Sequence, residues 1–286
     1  MGTASGPGAD PVLHGAGVLG IGRQYFGAYG QNHDRRSAGK NYTGSLLEPY
    51  HDGCGGDNVG LSYLDSDELA AAVTELDRVG FGVHMHAIGD RACRDSLDAV
   101  AAAQAANGVS DNRHHIAHIQ LIDPADLPRF SHLGVTANMQ AYWAQRDGQL
   151  EKLTRPFLGD ERTDRMYPFA DLRSAGARIA AGSDWPVSTP DPLAQIEVAV
   201  RRRSPEDREN DPFLPHQSLS LSEALTAFTS GSAYVNYDDE AGRIAVGQRA
   251  DLTVLDQDLF QCPDGKVADA SVEFTITAGT IVYARG

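Results

Sequence analysis

Strand-like and helix-like segments alternate through the middle of this 286-residue chain, and this alternation constrains its fold more than any other feature. Four short apolar segments have the pattern of strands: FGVHMH, HHIAHIQLI, GVTANMQ and ARIAAG. Stretches with apolar residues at helical spacing lie between them. Strands that alternate with helices of about 10 to 15 residues predict βαβ units and a parallel sheet. The sequence therefore predicts an α/β fold.

Two of the helices carry clear start signals. In LDSDELAAAVTELDRVG, Asp65 is a candidate N-cap with Glu68 three residues later, and Gly80 follows the last apolar position. Ser220 and Glu223 have the same spacing at the start of LSLSEALTAFTSGSAYV. This pattern is a capping box, in which each residue satisfies a backbone N–H of the other. We therefore expect helices to begin just after Asp65 and just after Ser220.

Ligand-type side chains recur where the predicted strands end. His84 and His86 share one face of their strand, because side chains alternate along it. His118 lies near the end of the next strand, and Asp184 follows ARIAAG. The carboxyl ends of parallel strands meet at one edge of a sheet, where active sites form. Imidazole and carboxylate are ligands of catalytic Zn²⁺, so the spacing predicts a metal site, although a lone strand histidine is more often a packing residue.

Other polar residues nearby leave alternatives open. Asp90 starts a predicted helix and is either an N-cap or a substrate contact. Gln140 follows the third strand and either lines a pocket or fills one. His114 has the same parity as His118, which predicts that His115 faces the outer helices or solvent.

Composition excludes several classes of function. The formal net charge of −15 disfavours binding to a phosphate backbone. No apolar run approaches the roughly 18 residues that span a bilayer. The 3 cysteines lie far apart without a CxxC pair, which favours reduced thiols and a cytoplasmic location. No GxSxG, P-loop or GxGxxG motif occurs.

Several blocks of the sequence together resemble the amidohydrolase superfamily, in its family 3 branch. They are GFGVHMHAIGDRACRDSLDA, RHHIAHIQLIDPADLPRFSHLGVTANMQ, AAGSDWPVSTPDPLAQIEVAVRR, LSLSEALTAFTSGSAY and GRIAVGQRADLTVLDQD. They occur in the family's order, and LLEPYHDG resembles a segment upstream of them. The resemblance covers about residues 41 to 286.

The resemblance implies a fold and a chemistry. The family fold is a metal-dependent (β/α)8 barrel with a small β-sandwich, and its members hydrolyse non-peptide C–N bonds in small amide-like molecules. By this resemblance His86, His118 and Asp184 bind a divalent metal, with zinc the first candidate. Asp184 is also the expected general base, and His84 is expected either to line the pocket or to be a packed neighbour of His86.

The resemblance is incomplete at its start. A full barrel takes about 250 residues, and the four predicted strands between residues 81 and 182 supply about half of one. The family's HxH pair of barrel strand one and its bridging lysine have no match, and Ala117 replaces an expected acidic residue. We therefore expect an irregular segment at 1–40, barrel strands five to eight within 41–235, and a β-sandwich portion at 236–286.

Two functions follow from this partial match. The first is a metal-dependent amidohydrolase acting on a small molecule. The second is a truncated, catalytically incompetent half-barrel of the same family. The candidate partners are the small-molecule substrate, further copies in an oligomer, or a separate N-terminal half.

Overall fold

The computed structural model describes residues 16–18, 25–28, 42–51, 56–262 and 265–286. Within them, one sheet contains six strands in chain order: β1 (Ala16–Val18), β2 (Tyr25–Ala28), β3 (Gly82–Ala87), β4 (His115–His118), β5 (Thr136–Met139) and β6 (Arg178–Ala181). β1 and β2 pair antiparallel, and all later neighbours pair in parallel. The predicted α/β fold with a parallel sheet is confirmed by β3 to β6.

Helices lie between and after these strands. They are α1 (Ser66–Arg78), α2 (Asp90–Asn107), α3 (Leu127–His132), α4 (Arg155–Leu158), α5 (Asp160–Thr163), α6 (Phe169–Ser174), α7 (Pro192–Arg201), α8 (Leu221–Thr226) and α9 (Ser232–Val235). The polar stretch between β5 and β6 therefore folds into short helices. No helix in the described part of the chain is long and apolar enough to cross a membrane.

Both predicted capping boxes are confirmed. Asp65 accepts a hydrogen bond from the backbone N–H of Glu68 at 2.7 Å, and Glu68 accepts one from the N–H of Asp65 at 3.4 Å. Ser220 and Glu223 exchange equivalent bonds at 3.3 and 2.8 Å. Gly80 follows α1 with φ of 87°, a left-handed conformation that glycine adopts without steric cost. The sequence signals thus set these helix boundaries directly.

The two faces of β3 differ in character. Val83 and Met85 are 1% and 2% exposed and lie on the face against which α1 and α2 pack. Leu97 and Val100 of α2 are fully buried in the same core. Because side chains alternate along a strand, His84 and His86 lie on the opposite face. The helix layer therefore fixes which face of the sheet presents the histidines.

A buried carboxylate ties the elements before β4 together. Asp77, near the end of α1, accepts hydrogen bonds from Asn107 at 2.9 Å, Ser110 at 2.6 Å and Asn112 at 2.7 Å. The Nε2 atom of His114 lies 3.0 Å from the same carboxylate. These bonds keep the pKa of Asp77 below its ordinary value although burial opposes the charge. The network joins α1, α2 and the loop that leads into β4.

The chain ends differ from the parallel sheet. The C-terminal residues form an antiparallel sheet of β7 (Leu252–Leu255), β8 (Val272–Thr277) and β9 (Thr280–Ala284), as the alternating pattern there predicted. In residues 1–40, for which we expected no regular element, β1 and β2 extend the main sheet instead. β2 is parallel to β3 and pairs Gly27 with His84.

Candidate metal centre

The register of the sheet sets the first contacts between histidines. In the parallel β3–β4 pair, His84 lies opposite His115 and His86 lies opposite Ala117. The rings of His84 and His115 pack edge to face, with centroids 4.6 Å apart. This pair follows from regular strand geometry alone, because both residues are register partners on one face of the sheet.

The second pair, His86 and His118, depends on an irregular backbone. β4 ends at His118 because His118 and Ile119 both adopt left-handed φ angles, 72° and 51°. This conformation is uncommon for residues other than glycine and costs about 1–3 kcal/mol at each position. It turns the ring of His118 toward β3, where its centroid lies 4.4 Å from that of His86. The strand predicted to run from His114 to Ile122 is therefore shorter than expected.

The predicted orientation of His115 is wrong. Parity with His118 predicted that His114 would share its face and that His115 would point outward. Instead His115 packs against His84, and His114 binds the Asp77 network. The Nδ1 atom of His114 accepts a hydrogen bond from the N–H of Val83 at 3.2 Å, so its Nε2 donates to Asp77. The parity rule fails because the backbone of His118 is not that of a strand.

Burial keeps two of the inward histidines neutral. It lowers the pKa of His84 to about 3, and the neighbouring His115 and His86 act in the same direction. Burial also lowers the pKa of His115 to about 4, although a hydrogen bond with the carbonyl of Arg113 acts to raise it. At pH 7 both rings are neutral imidazoles, and a neutral ring nitrogen is the form that can bind a metal.

Asp184 lies beyond the carboxyl end of β6. It has a left-handed φ of 56°, and its carbonyl accepts a hydrogen bond from the N–H of Val187 at 2.8 Å, which closes a tight turn. Asp184 and His118 are thus both non-glycine residues in a strained conformation at strand ends. Backbone strain of this kind is concentrated at functional sites.

The structure brings two of the three predicted ligands together. The rings of His86 and His118 are in contact. Over residues 42–51, 56–262 and 265–286, no group of three or more His, Cys, Asp or Glu side chains is arranged to hold a metal ion. The imidazole pair fits a metal by the chemistry of its donors and by the closeness of its two rings, whereas the place of Asp184 in the same coordination sphere stays a prediction.

The two weaker candidates, Asp90 and Gln140, both bind backbone. Asp90 is buried and is the first residue of α2, directly after the N-cap Gly89. Its carboxylate accepts hydrogen bonds from the N–H groups of Leu47 at 2.9 Å and Arg91 at 3.0 Å. The contacts of Asp90 fasten the segment around Leu47 to the start of α2. Gln140 is 6% exposed and accepts a hydrogen bond from the N–H of His118.

Sequence reasoning missed Asn138 as a neighbour of the site. Its side-chain oxygen accepts a hydrogen bond from Nε2 of Gln140 at 3.2 Å. Asn138 and Gln140, two amide side chains at two-residue spacing at the end of β5, were a usable signal, because that spacing places both on one face.

A cavity of about 760 Å³ lies elsewhere on the sheet. It borders Arg178 and Ile179 at the amino end of β6 and includes Tyr234 of α9. The Arg178 guanidinium lies 3.8 Å from the centre of the Tyr234 ring. None of the predicted metal ligands lines this cavity, so it is separate from the histidine pair.

Comparison with known proteins decides the family. The sequence model of the amidohydrolase family matches residues 21–283. The chain belongs to the amidohydrolase family. The resemblance identified from the sequence is confirmed. We expected it to begin at about residue 41, and the match begins further upstream, at residue 21.

The chain is similar to proteins of known sequence and structure. It is 30% identical over 244 residues to the putative amidohydrolase YtcJ of Bacillus subtilis, covering 85% of this chain and 45% of that protein. It is 26% identical over 246 residues to an N-substituted formamide deformylase of Arthrobacter pascens, covering 85% of this chain and 44% of that protein. The chain thus spans less than half the length of these relatives.

A solved structure has the same fold. It is an uncharacterized metal-dependent hydrolase from Pyrococcus furiosus, with a TM-score of 0.60 and 26% sequence identity to this amidohydrolase. The likeness covers 77% of this chain and 41% of that one.

Proposed function

We propose that this amidohydrolase is a metal-dependent hydrolase that cleaves a non-peptide C–N bond in a small amide-like molecule. The observation that carries the proposal is the contact between the rings of His86 and His118 at the carboxyl ends of neighbouring parallel strands. The similarity to an N-substituted formamide deformylase supports an amide-type bond as the target. The family and the metal-dependent hydrolase from Pyrococcus furiosus support a divalent metal.

The proposed site uses three side chains of this chain. His86 and His118 would hold the metal through ring nitrogens, and Asp184 through a carboxylate oxygen, a set typical of catalytic zinc. When bound, the divalent ion supplies the Lewis acidity that polarises the substrate carbonyl and acidifies the attacking water. Zinc is the first candidate for this ion.

The remaining chemistry falls to the protein groups. A carboxylate oxygen of Asp184 is proposed to take the proton from the attacking water and later to give it to the leaving nitrogen. His84, neutral and packed against His115, is proposed to line the pocket beside the reacting carbonyl. A substrate contact by Asp90 has less support, because its carboxylate is occupied by two backbone N–H groups.

We also propose the finer architecture behind this site. β3 to β6 correspond to strands five to eight of a (β/α)8 barrel, within residues 41–235. β7 to β9 correspond to part of a small β-sandwich, within residues 236–286. A cytoplasmic location and assembly into an oligomer, or with a separate N-terminal half, remain predictions from the sequence.

The test is turnover by the metal-loaded chain. Purified protein incubated with Zn²⁺ should retain about one ion per chain and release amine from N-substituted formamides. Asp184→Asn should abolish release. Asp191→Asn is the matched control, because Asp191 caps α7 through the N–H of Leu193 and asparagine caps equally well. Activity that survives Asp184→Asn contradicts the proposed base.

One observation favours a second function. Within the described residues, no group of three or more His, Cys, Asp or Glu side chains is arranged to hold a metal ion, which supports a chain that is catalytically incompetent alone. That account predicts zinc binding without turnover of any formamide, and a soluble active monomer contradicts it.

A further inference from the structure

We propose that Gln140 is a positioning residue, which holds the backbone of His118 in its left-handed conformation and thereby keeps the His118 ring beside His86. The metal-binding part of this inference rests on the proposed function, whereas the conformational part does not. Gln140 thus acts on the site through His118, rather than as the substrate contact that the sequence suggested.

The conformation of His118 needs an explanation. Strand geometry would pair His86 with Ala117, and this is the register observed. A regular strand would turn the side chain of His118 to the other face, whereas with a φ of 72° its ring contacts that of His86. Unlike glycine, histidine has a Cβ atom that makes the left-handed region costly. The surrounding structure therefore has to impose this conformation.

Gln140 provides the bond that imposes it. The backbone N–H of His118 donates to Oε1 of Gln140 at 2.8 Å, across 22 residues of sequence and inside the protein. Both residues are largely buried, 8% and 6% exposed. An N–H buried without a partner is costly, so the left-handed backbone and the Gln140 side chain stabilise each other.

The orientation of the Gln140 amide is itself fixed. Its Nε2 donates to Oδ1 of Asn138 at 3.2 Å, which leaves Oε1 to face His118. Gly182 lies beside this amide, because a Cβ atom there would lie 3.7 Å from Nε2 of Gln140 and 3.8 Å from Oδ1 of Asn138. The N–H of Gly182 also donates to the carbonyl of Met139 at 3.1 Å.

Gln140 therefore lies where the ends of three strands meet. It follows β5, bonds to the end of β4, and packs against the turn after β6 that leads to Asp184. A side chain in this place can set the geometry of one metal ligand while it touches no substrate. Groups that orient metal ligands commonly change metal affinity about 10- to 100-fold.

The test compares Gln140→Leu and Gln140→Glu in the full chain. Leucine has no acceptor for the N–H of His118, whereas glutamate keeps an oxygen at the same reach, and Asn138 can reverse its amide to donate to it. Gln217→Leu is the matched control. Gln217 is 3% exposed and accepts a bond from the N–H of Asp171 at 3.2 Å, so its loss perturbs a buried backbone bond in another part of the fold.

Two readouts are measured, amide hydrogen exchange at His118 and the dissociation constant for Zn²⁺. Gln140→Leu should speed exchange at His118 at least about tenfold and weaken zinc binding by about 10- to 100-fold. Gln140→Glu should restore both toward the wild-type values, and Gln217→Leu should lower the unfolding temperature while it changes neither.

Unchanged exchange at His118 in Gln140→Leu overturns the inference, as does an equal loss of zinc affinity in Gln217→Leu. If the wild-type chain binds no zinc, the proposed function fails. Hydrogen exchange at His118 still decides whether Gln140 holds its backbone.

Discussion

The ring centroids of His86 and His118 lie 4.4 Å apart, although the register of the sheet pairs His86 with Ala117. The contact exists because the chain leaves β4 through a left-handed residue that carries a ligand-type side chain. Two imidazoles from neighbouring parallel strands thus lie together at the carboxyl edge of the sheet, where α/β barrels have their active sites. That pair is the centre of the proposed metal site.

The carboxylate of Asp77 should be one of the largest single contributors to stability. Asp77→Ala removes the acceptor for Asn107, Ser110, Asn112 and His114 together and leaves the buried His114 ring without this partner. We expect the free energy of unfolding to fall by about 3–5 kcal/mol, measured by urea denaturation.

The control for Asp77 is Asp98, whose side chain is 56% exposed and pairs with Arg129 on the surface. Asp98→Ala should cost less than about 1 kcal/mol. Equal losses in the two variants would show that the Asp77 network has no special role.

The chain should lose stability as the pH falls below neutrality. In the unfolded chain His84 and His115 take up protons near pH 6.5, whereas in the folded chain they do so only near pH 3 and pH 4. Protons therefore favour the unfolded chain from about pH 6.5 down to about pH 4. Each histidine contributes up to about 1.4 kcal/mol per pH unit to this loss.

The measurement is the unfolding free energy of metal-free protein at several pH values. His115→Gln removes one titrating ring and also one cause of the lowered pKa of His84, whereas His84 and His114 still titrate, so its slope should be shallower than that of the wild type. A slope that the substitution leaves unchanged would place the titration elsewhere in the molecule.

Gly89 should tolerate no side chain. A Cβ atom there would lie 1.9 Å from the carbonyl oxygen of Ser45, which is part of the segment fastened by Asp90. Gly89→Ala should therefore displace this segment and cost about 1–3 kcal/mol or more, with faster proteolysis between residues 42 and 51.

Gly148→Ala is the matched control, because a Cβ atom at Gly148 meets nothing within 4 Å. It should leave stability and proteolysis near the wild-type values. If Gly89→Ala behaves in the same way, the close approach of Ser45 to the start of α2 is not maintained in solution.

Local signals in the sequence predicted much of this fold. The capping boxes at Asp65 and Ser220 are short-range interactions, and the structure contains both. Alternation also predicted the face shared by His84 and His86, because β3 is a regular strand. These features depend on neighbours within a few residues and can therefore be found in one sequence.

The candidate site was harder to predict because it depends on contacts distant in sequence. The backbone of His118 is held by Gln140, 22 residues away, and no local pattern announces a left-handed histidine. For that reason we predicted the wrong face for His115 when we assumed a regular strand up to His118. The strands β1 and β2 were missed because they lack apolar periodicity, and they are strands through pairing, β2 with β3 and β1 with β2.

The most direct test of the central claim is a calorimetric titration of the metal-free chain with Zn²⁺. We expect one site per chain, lost in His86→Asn and in His118→Asn, kept in His132→Asn on the exposed end of α3, and emptied by a chelator. A wild-type chain that binds no zinc, or a His86→Asn/His118→Asn double variant that binds it as tightly, would contradict a metal site at this histidine pair.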